Sequence, residues 1–186
     1  EKLVQIMFQK RLPKFLKTAM SYISSLKKVE DLGQGVRRIA ILGSTGSIGK
    51  NCLRIVEGHP DRFEVVGLAG ARNISLLAEQ SAAFRPAVIG VKSGSSVEEL
   101  LNRLPGDYRP QIVSGLEGYK QLASMPEADI VVSAQVGAAG LGPTLAAVKS
   151  GKIVALANKE SLVLAGPLIR RLCRETDSVI LPVDSE

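Results

Sequence analysis

Arg38-Ile39-Ala40-Ile41-Leu42-Gly43-Ser44-Thr45-Gly46-Ser47-Ile48-Gly49 is a short apolar run that breaks into a glycine loop and then opens a helical pattern. A run of this length, apolar on every side, reads as a strand buried on both faces of a sheet. Glycines three apart let backbone amides come close to a pyrophosphate, and the helix that follows turns its partially positive end toward it. Thr45, Ser47 and the Ile48 amide are placed to donate to phosphate oxygens. The strand before the loop and the helix after it are the context that separates a dinucleotide site from a merely tight turn.

The same alternation continues along the chain. Apolar runs predict strands over residues 38–42, 63–68, 87–91, 112–113, 129–133, 152–157 and 179–183. Helical spacing predicts helices over 47–57, 74–84, 97–104, 116–123, 141–150 and 160–175. Strands and helices in turn imply an α/β fold, and right-handed crossovers make it a Rossmann-like, doubly wound parallel sheet. Residues 37–182 are read as this cofactor-binding domain, residues 1–36 as a basic leader and linker, and 183–186 as the start of a further, catalytic domain cut short.

The chain has 186 residues and a net charge of +6, which invites a nucleic-acid reading. The distribution argues against it. Residues 1–38 hold nine Lys/Arg against three Asp/Glu, so the rest holds 15 of each sign and is neutral. A nucleic-acid footprint belongs on the folded body, and scarce aromatics with no Trp offer little stacking. Leu12, Phe15, Leu16, Met20, Ile23 and Leu26 recur at helical spacing among lysines, which reads as an amphipathic helix. It is open as upstream sequence with a natural start near Met20, as a transit-like segment, or as a docking helix. No run is long and apolar enough to span a membrane. Cys52 and Cys173 fall within predicted helices as buried free thiols, and the lone His59 falls in a turn.

The second strand ends in Gly67-Leu68-Ala69-Gly70-Ala71-Arg72-Asn73. An NAD site carries an acid there for the ribose 2′-hydroxyl. This chain has Arg72, whose guanidinium suits a 2′-phosphate and favours NADP. Asn73 is placed to cap the next helix and to serve the site as well. The loop from Gln135 to Leu141 follows another strand and belongs near the nicotinamide, unless it is only flexible linkage. Asn158, Lys159 and Glu160 end one strand and open a helix. Asn158 suits the cap and Glu160 the first turn, but a cation gains nothing there, so Lys159 is read as facing a ligand. Asp184 and Glu186 point the same way in extended chain and can converge on a hard divalent cation, unless they are simply an acidic loop.

Taken together, the glycine loop Gly43–Gly49, Val136-Gly-Ala-Ala-Gly-Leu141 with Pro143-Thr144, Leu156-Ala-Asn-Lys-Glu-Ser-Leu-Val163 and Leu181-Pro-Val-Asp-Ser-Glu186 resemble the 1-deoxy-D-xylulose 5-phosphate reductoisomerase family. The resemblance runs from about Arg38 to Glu186. It implies NADPH contacts at Thr45, Gly46, Ser47, Ile48, Ala71, Arg72, Asn73, Asn158 and Glu160. It implies Lys159 and Ser185, with Glu186, at the substrate, and Asp184 and Glu186 as ligands of Mn²⁺, Mg²⁺ or Co²⁺. The implied reaction is the NADPH- and metal-dependent isomerisation and reduction of 1-deoxy-D-xylulose 5-phosphate to 2-C-methyl-D-erythritol 4-phosphate, in non-mevalonate isoprenoid synthesis. A homodimer is implied at full length, in bacterial cytoplasm or, for a plant, a plastid; the piece alone is expected to be inactive. Ala71-Arg72 stands where Gly-Lys or Gly-Arg is usual, and the leader has no counterpart in the family pattern. The rival readings are a non-catalytic NADPH-binding module and another NADPH-dependent oxidoreductase.

Overall fold

Each predicted apolar run becomes a strand in the computed structural model, which describes residues 35–183. The strands are β1 (Arg37–Leu42), β2 (Phe63–Ala69), β3 (Val88–Val91), β4 (Gln111–Ser114), β5 (Ile130–Ser133), β6 (Ile153–Leu156) and β7 (Val179–Pro182). The helices between them are α1 (Ser47–Gly58), α2 (Ile74–Phe84), α3 (Ser95–Leu101), α4 (Gly115–Ser124), α5 (Leu141–Lys149) and α6 (Lys159–Thr176). A short 3-10 turn, Gly137–Gly140, precedes α5. The amphipathic leader and the reading of residues 184–186 lie outside the described residues.

All the pairings are parallel, and the strands lie in the order β4-β3-β2-β1-β5-β6-β7. The described residues therefore enter the sheet at its middle, wind outward to β4, cross back over β1 to β5, and wind out the other way. This is the doubly wound arrangement expected from the alternation. Alternate residues of β1 face opposite layers. Ile39 and Ile41 join one core with Leu53 and Val56 of α1 and Leu77 of α2. Ala40 and Leu42 join the other with Leu122 of α4, Val148 of α5 and Ile169 of α6. Because strands such as β5 and β6 are buried on both sides, their sequences are apolar throughout rather than alternating.

Three local departures from the expected pattern stand out, and the last has a plain physical cause. The third helix runs two residues earlier at its start and three at its end than the predicted 97–104. The segment of small residues Gly137–Gly140 forms a 3-10 turn rather than open linkage. The predicted continuous helix over 160–175 is kinked at Ala165 (φ −139°, ψ 23°). Pro167 explains the kink: it lacks the amide for the Val163 carbonyl, and its ring collides with that turn.

Cys52 and Cys173 are both free and buried. Burial pushes the Cys52 thiol up from 9.0 to about 12 and the Tyr119 hydroxyl up from 10.0 to about 12. In each case the folded state favours the protonated form. The associated stability is complete below the unfolded value and is lost as pH rises toward the folded one. Denaturant midpoints should hold steady to about pH 9 and then fall toward pH 12. A midpoint unchanged at pH 11 would show that neither group is held protonated by the fold.

Candidate functional site

The chain's winding reverses between β1 and β5, so the loops that leave their carboxyl ends turn to opposite faces and open a crevice between them. The two loops touch. Gly43 has φ +89°, and a Cβ there would lie 2.6 Å from the Ala134 carbonyl oxygen. Gly49 closes the other side: a Cβ on it would lie 2.3 Å from the Gly43 carbonyl oxygen. Only glycine satisfies both the left-handed backbone at residue 43 and the close seat of α1 on its own loop.

The glycine loop hangs on β2, whose Ala69 carbonyl accepts from the Gly43 and Ser44 amides at 2.8 and 2.9 Å. From behind, the buried Gln80 of α2 donates its side-chain amide to the Ser44 carbonyl at 3.0 Å. The loop is thus fixed before any ligand arrives. Gly46 is the N-cap of α1 and brings no side-chain bond to the helix end, and the first turn holds no acid. The amides of Ser47 and Ile48 therefore face outward at the positive end of a 12-residue helix. Gly46 and Ser47 are exposed, and Thr45 and Ile48 half-buried, at the mouth of the crevice. This is the geometry of an anion cradle.

Ala71, Arg72 and Asn73 are exposed just past β2. Ala71 is not among the residues with positive φ, so its side chain is accommodated without strain where glycine is usual. No ion pair involving Arg72 occurs among the described residues. Asn73 caps α2, its Oδ1 accepting from the Leu76 amide at 2.9 Å. Its side-chain NH₂ remains available to the site.

Asn158 is buried at 1% exposure and works as a junction. Its Oδ1 accepts from the Ser161 amide at 2.8 Å and the Ser161 hydroxyl at 2.6 Å. Its Nδ2 donates to the Gly137 carbonyl at 2.8 Å and to the Gln135 carbonyl. Two donors and two acceptors are the whole capacity of a side-chain amide. Any contact of Asn158 with a ligand therefore falls to its backbone. The carboxyl end of β5 is also tied to α5, by the buried Ser133–Thr144 hydroxyl pair at 2.8 Å. Lys159 is exposed and Glu160 half-buried on the first turn of α6, ahead of the kink.

The structure thus brings Thr45–Ile48 and Ala71–Asn73 to the carboxyl ends of β1 and β2, with Asn158–Glu160 at that of β6. Asp184, Ser185 and Glu186 lie outside the described residues. The Val183 amide bonds the Leu156 carbonyl at 2.9 Å, so the chain leaves β7 at the sheet edge where Asn158 also begins. Among the described residues no group of three or more His, Cys, Asp or Glu converges. No described helix is long and apolar enough to cross a membrane.

The family described as 1-deoxy-D-xylulose 5-phosphate reductoisomerase matches residues 39–166. A protein of that name from Oleidesulfovibrio alaskensis is 57% identical over 165 residues, which cover 89% of this chain and 40% of the relative. One from Nitratidesulfovibrio vulgaris is 54% identical over the same span. Among solved structures, the Zymomonas mobilis reductoisomerase in complex with NADPH superposes with a TM-score of 0.76 at 39% identity, covering 81% of this chain and 39% of that one. The chain thus spans about 40% of the length of the curated relatives it matches. An alignment covering 89% of the chain leaves too few residues outside it to omit all of 1–36, so part of the leader does have a counterpart.

Proposed function

The chain belongs to the 1-deoxy-D-xylulose 5-phosphate reductoisomerase family, and from this we propose that residues 37–182 bind NADPH for that enzyme's reaction. The carrying observation is the uncapped α1 N-terminus seated where the loops leaving the paired strands β1 and β5 turn to opposite faces of the sheet. The residues present fit the cofactor. The Ser47 and Ile48 amides with Thr45 and Gly46 would receive the pyrophosphate, and Arg72 with Ala71 and Asn73 the 2′-phosphate. The loops after β5 and β6, with Glu160 and the Asn158 backbone, would border the nicotinamide.

Bound NADPH would supply a hydride to the aldehyde formed when the sugar skeleton rearranges, which yields 2-C-methyl-D-erythritol 4-phosphate. This chain's own part is to hold the cofactor in one orientation on a loop fixed by Ala69 and Gln80, so that little ordering remains to be done on binding. Lys159 is proposed at the phosphorylated substrate together with Ser185. Asp184 and Glu186, the latter also bordering substrate, are proposed as carboxylate ligands of Mg²⁺, Mn²⁺ or Co²⁺. Relatives solved with NADPH and magnesium support the pair of cofactors. The whole protein is proposed to act as a cytoplasmic homodimer.

The test has two arms. Titration of the chain with NADPH should give saturable binding; none, in a chain shown by circular dichroism to be folded, removes the reading. In a protein carrying the full family length, NADPH should be consumed only with substrate and divalent metal. Asp184→Asn should abolish that turnover while changing NADPH affinity by no more than about twofold, since separated sites act independently. A variant that keeps its turnover would remove Asp184 from the metal site.

A further inference from the structure

The turn that carries Arg72 is held at both ends. On its far side Asn73 is locked to α2 through the Leu76 amide. On its near side is Gly70, whose peptide groups are both bonded. The Gly70 amide donates to the Gly90 carbonyl at 3.0 Å. The Gly70 carbonyl accepts from the Tyr119 hydroxyl at 2.9 Å. Tyr119 reaches it from α4, on the opposite layer from α2, with the ring buried at 7% exposure.

The ring has a seat made for it. A Cβ on Gly90 would lie 3.1 Å from the Tyr119 ring, so β3 leaves space where a side chain would stand. A Cβ on Gly70 would lie 3.3 Å from the Thr45 methyl, so the same residue also abuts the glycine loop. Gly70 is therefore where the pyrophosphate loop, β3 and α4 meet, two residues before Arg72. Without the hydroxyl, the Gly70–Ala71 peptide would keep no bond on its oxygen, and glycine is the residue least able to hold an orientation by itself.

We infer that Tyr119 is a positioning residue for cofactor selectivity: its hydroxyl fixes the Gly70 turn, and through it the place where Arg72 presents its guanidinium to a 2′-phosphate. This rests on the proposed role of Arg72. Burial keeps the hydroxyl protonated, with its titration pushed up to about 12, so the bond persists at every working pH. Tyr119 touches neither cofactor nor substrate in this account. It acts on discrimination, not on pyrophosphate binding, which the glycine loop supplies.

The experiment measures NADPH and NADH affinities of the chain and its Tyr119→Phe, Arg72→Ala and double variants, with a thermal melt of each. Phe keeps the ring and loses one hydrogen bond, which corresponds to about a 2- to 13-fold change. The NADPH-to-NADH preference should fall by that factor, with NADH affinity nearly unchanged. On the Arg72→Ala background the same substitution should alter the preference no further. Tyr119→Met, which fills much of the ring's seat without a hydroxyl, should give the same selective loss and serves if Tyr119→Phe does not fold. Equal weakening of both cofactors, or no change, while Arg72→Ala erases the preference, overturns the Tyr119 role and leaves Arg72 standing. A preference that survives Arg72→Ala overturns both.

Discussion

Arg72→Ala should cut the preference for NADPH over NADH by about 10- to 150-fold, the range for losing a charge-assisted bidentate contact of roughly 1.5–3 kcal/mol. Three features make the effect selective. The guanidinium is exposed and meets no carboxylate among the described residues, so its removal breaks no internal ion pair. The turn around it is fixed by Gly70 and Asn73, so alanine should leave the backbone in place. The glycine loop and the α1 end, which would bind the part common to both cofactors, depend on Ala69 and Gln80 rather than on residue 72. NADH affinity should accordingly stay within about twofold. Arg72→Lys keeps the charge but loses the planar fork, and should fall between the two. Calorimetric titrations with both cofactors decide it, and equal losses for NADPH and NADH would remove Arg72 from the 2′-phosphate.

How far this site can be read from the sequence depends on how local its physics is. The glycine loop, the strand before it and the helix after it form one contiguous stretch, and the predicted elements at 38–42 and 47–57 lie within a residue of β1 and α1. The position of Arg72 and Asn73 just past β2 is legible because the end of β2 is a local signal. The crevice was legible in kind, since alternating strands and helices admit few topologies. The contacts that set the site were not. Gln80 is 36 residues from Ser44, and Tyr119 is 49 from Gly70, and nothing in either helix's spacing marks its polar atom as aimed at a distant carbonyl. The kink at Ala165 had a signal in Pro167, which the apolar periodicity on both sides of it masked. The 3-10 turn over Gly137–Gly140 had none, because four small residues carry no period.

Asn158 shows the difference between a cap and a brace, and a single substitution separates them. Asp is as good an N-cap as Asn, and its charge suits a helix N-terminus. If Asn158 only capped α6, Asn158→Asp would be neutral or slightly stabilising. The geometry says otherwise. Aspartate can still accept from Ser161, but it has no donor for the Gln135 and Gly137 carbonyls. Those carbonyls would then face a carboxylate in a site that is 1% exposed. Two half-buried acceptors that lose their donors cost up to about 1–3 kcal/mol each, and burial of the charge at residue 158 adds to that. The net loss should be on the order of 3–5 kcal/mol, which for a domain of this size lowers the melting temperature by roughly 10 °C. The loop over Gly137–Gly140, freed from α6, should lose its 3-10 turn, and NADPH affinity should fall with it. The pH dependence carries the sign of the cause. Burial against carbonyls raises the pKa of the new carboxyl, and its protonated form recovers one donor. The penalty relative to the unsubstituted chain should therefore shrink as pH is lowered. A variant that melts with the unsubstituted chain at neutral pH would reduce Asn158 to a cap.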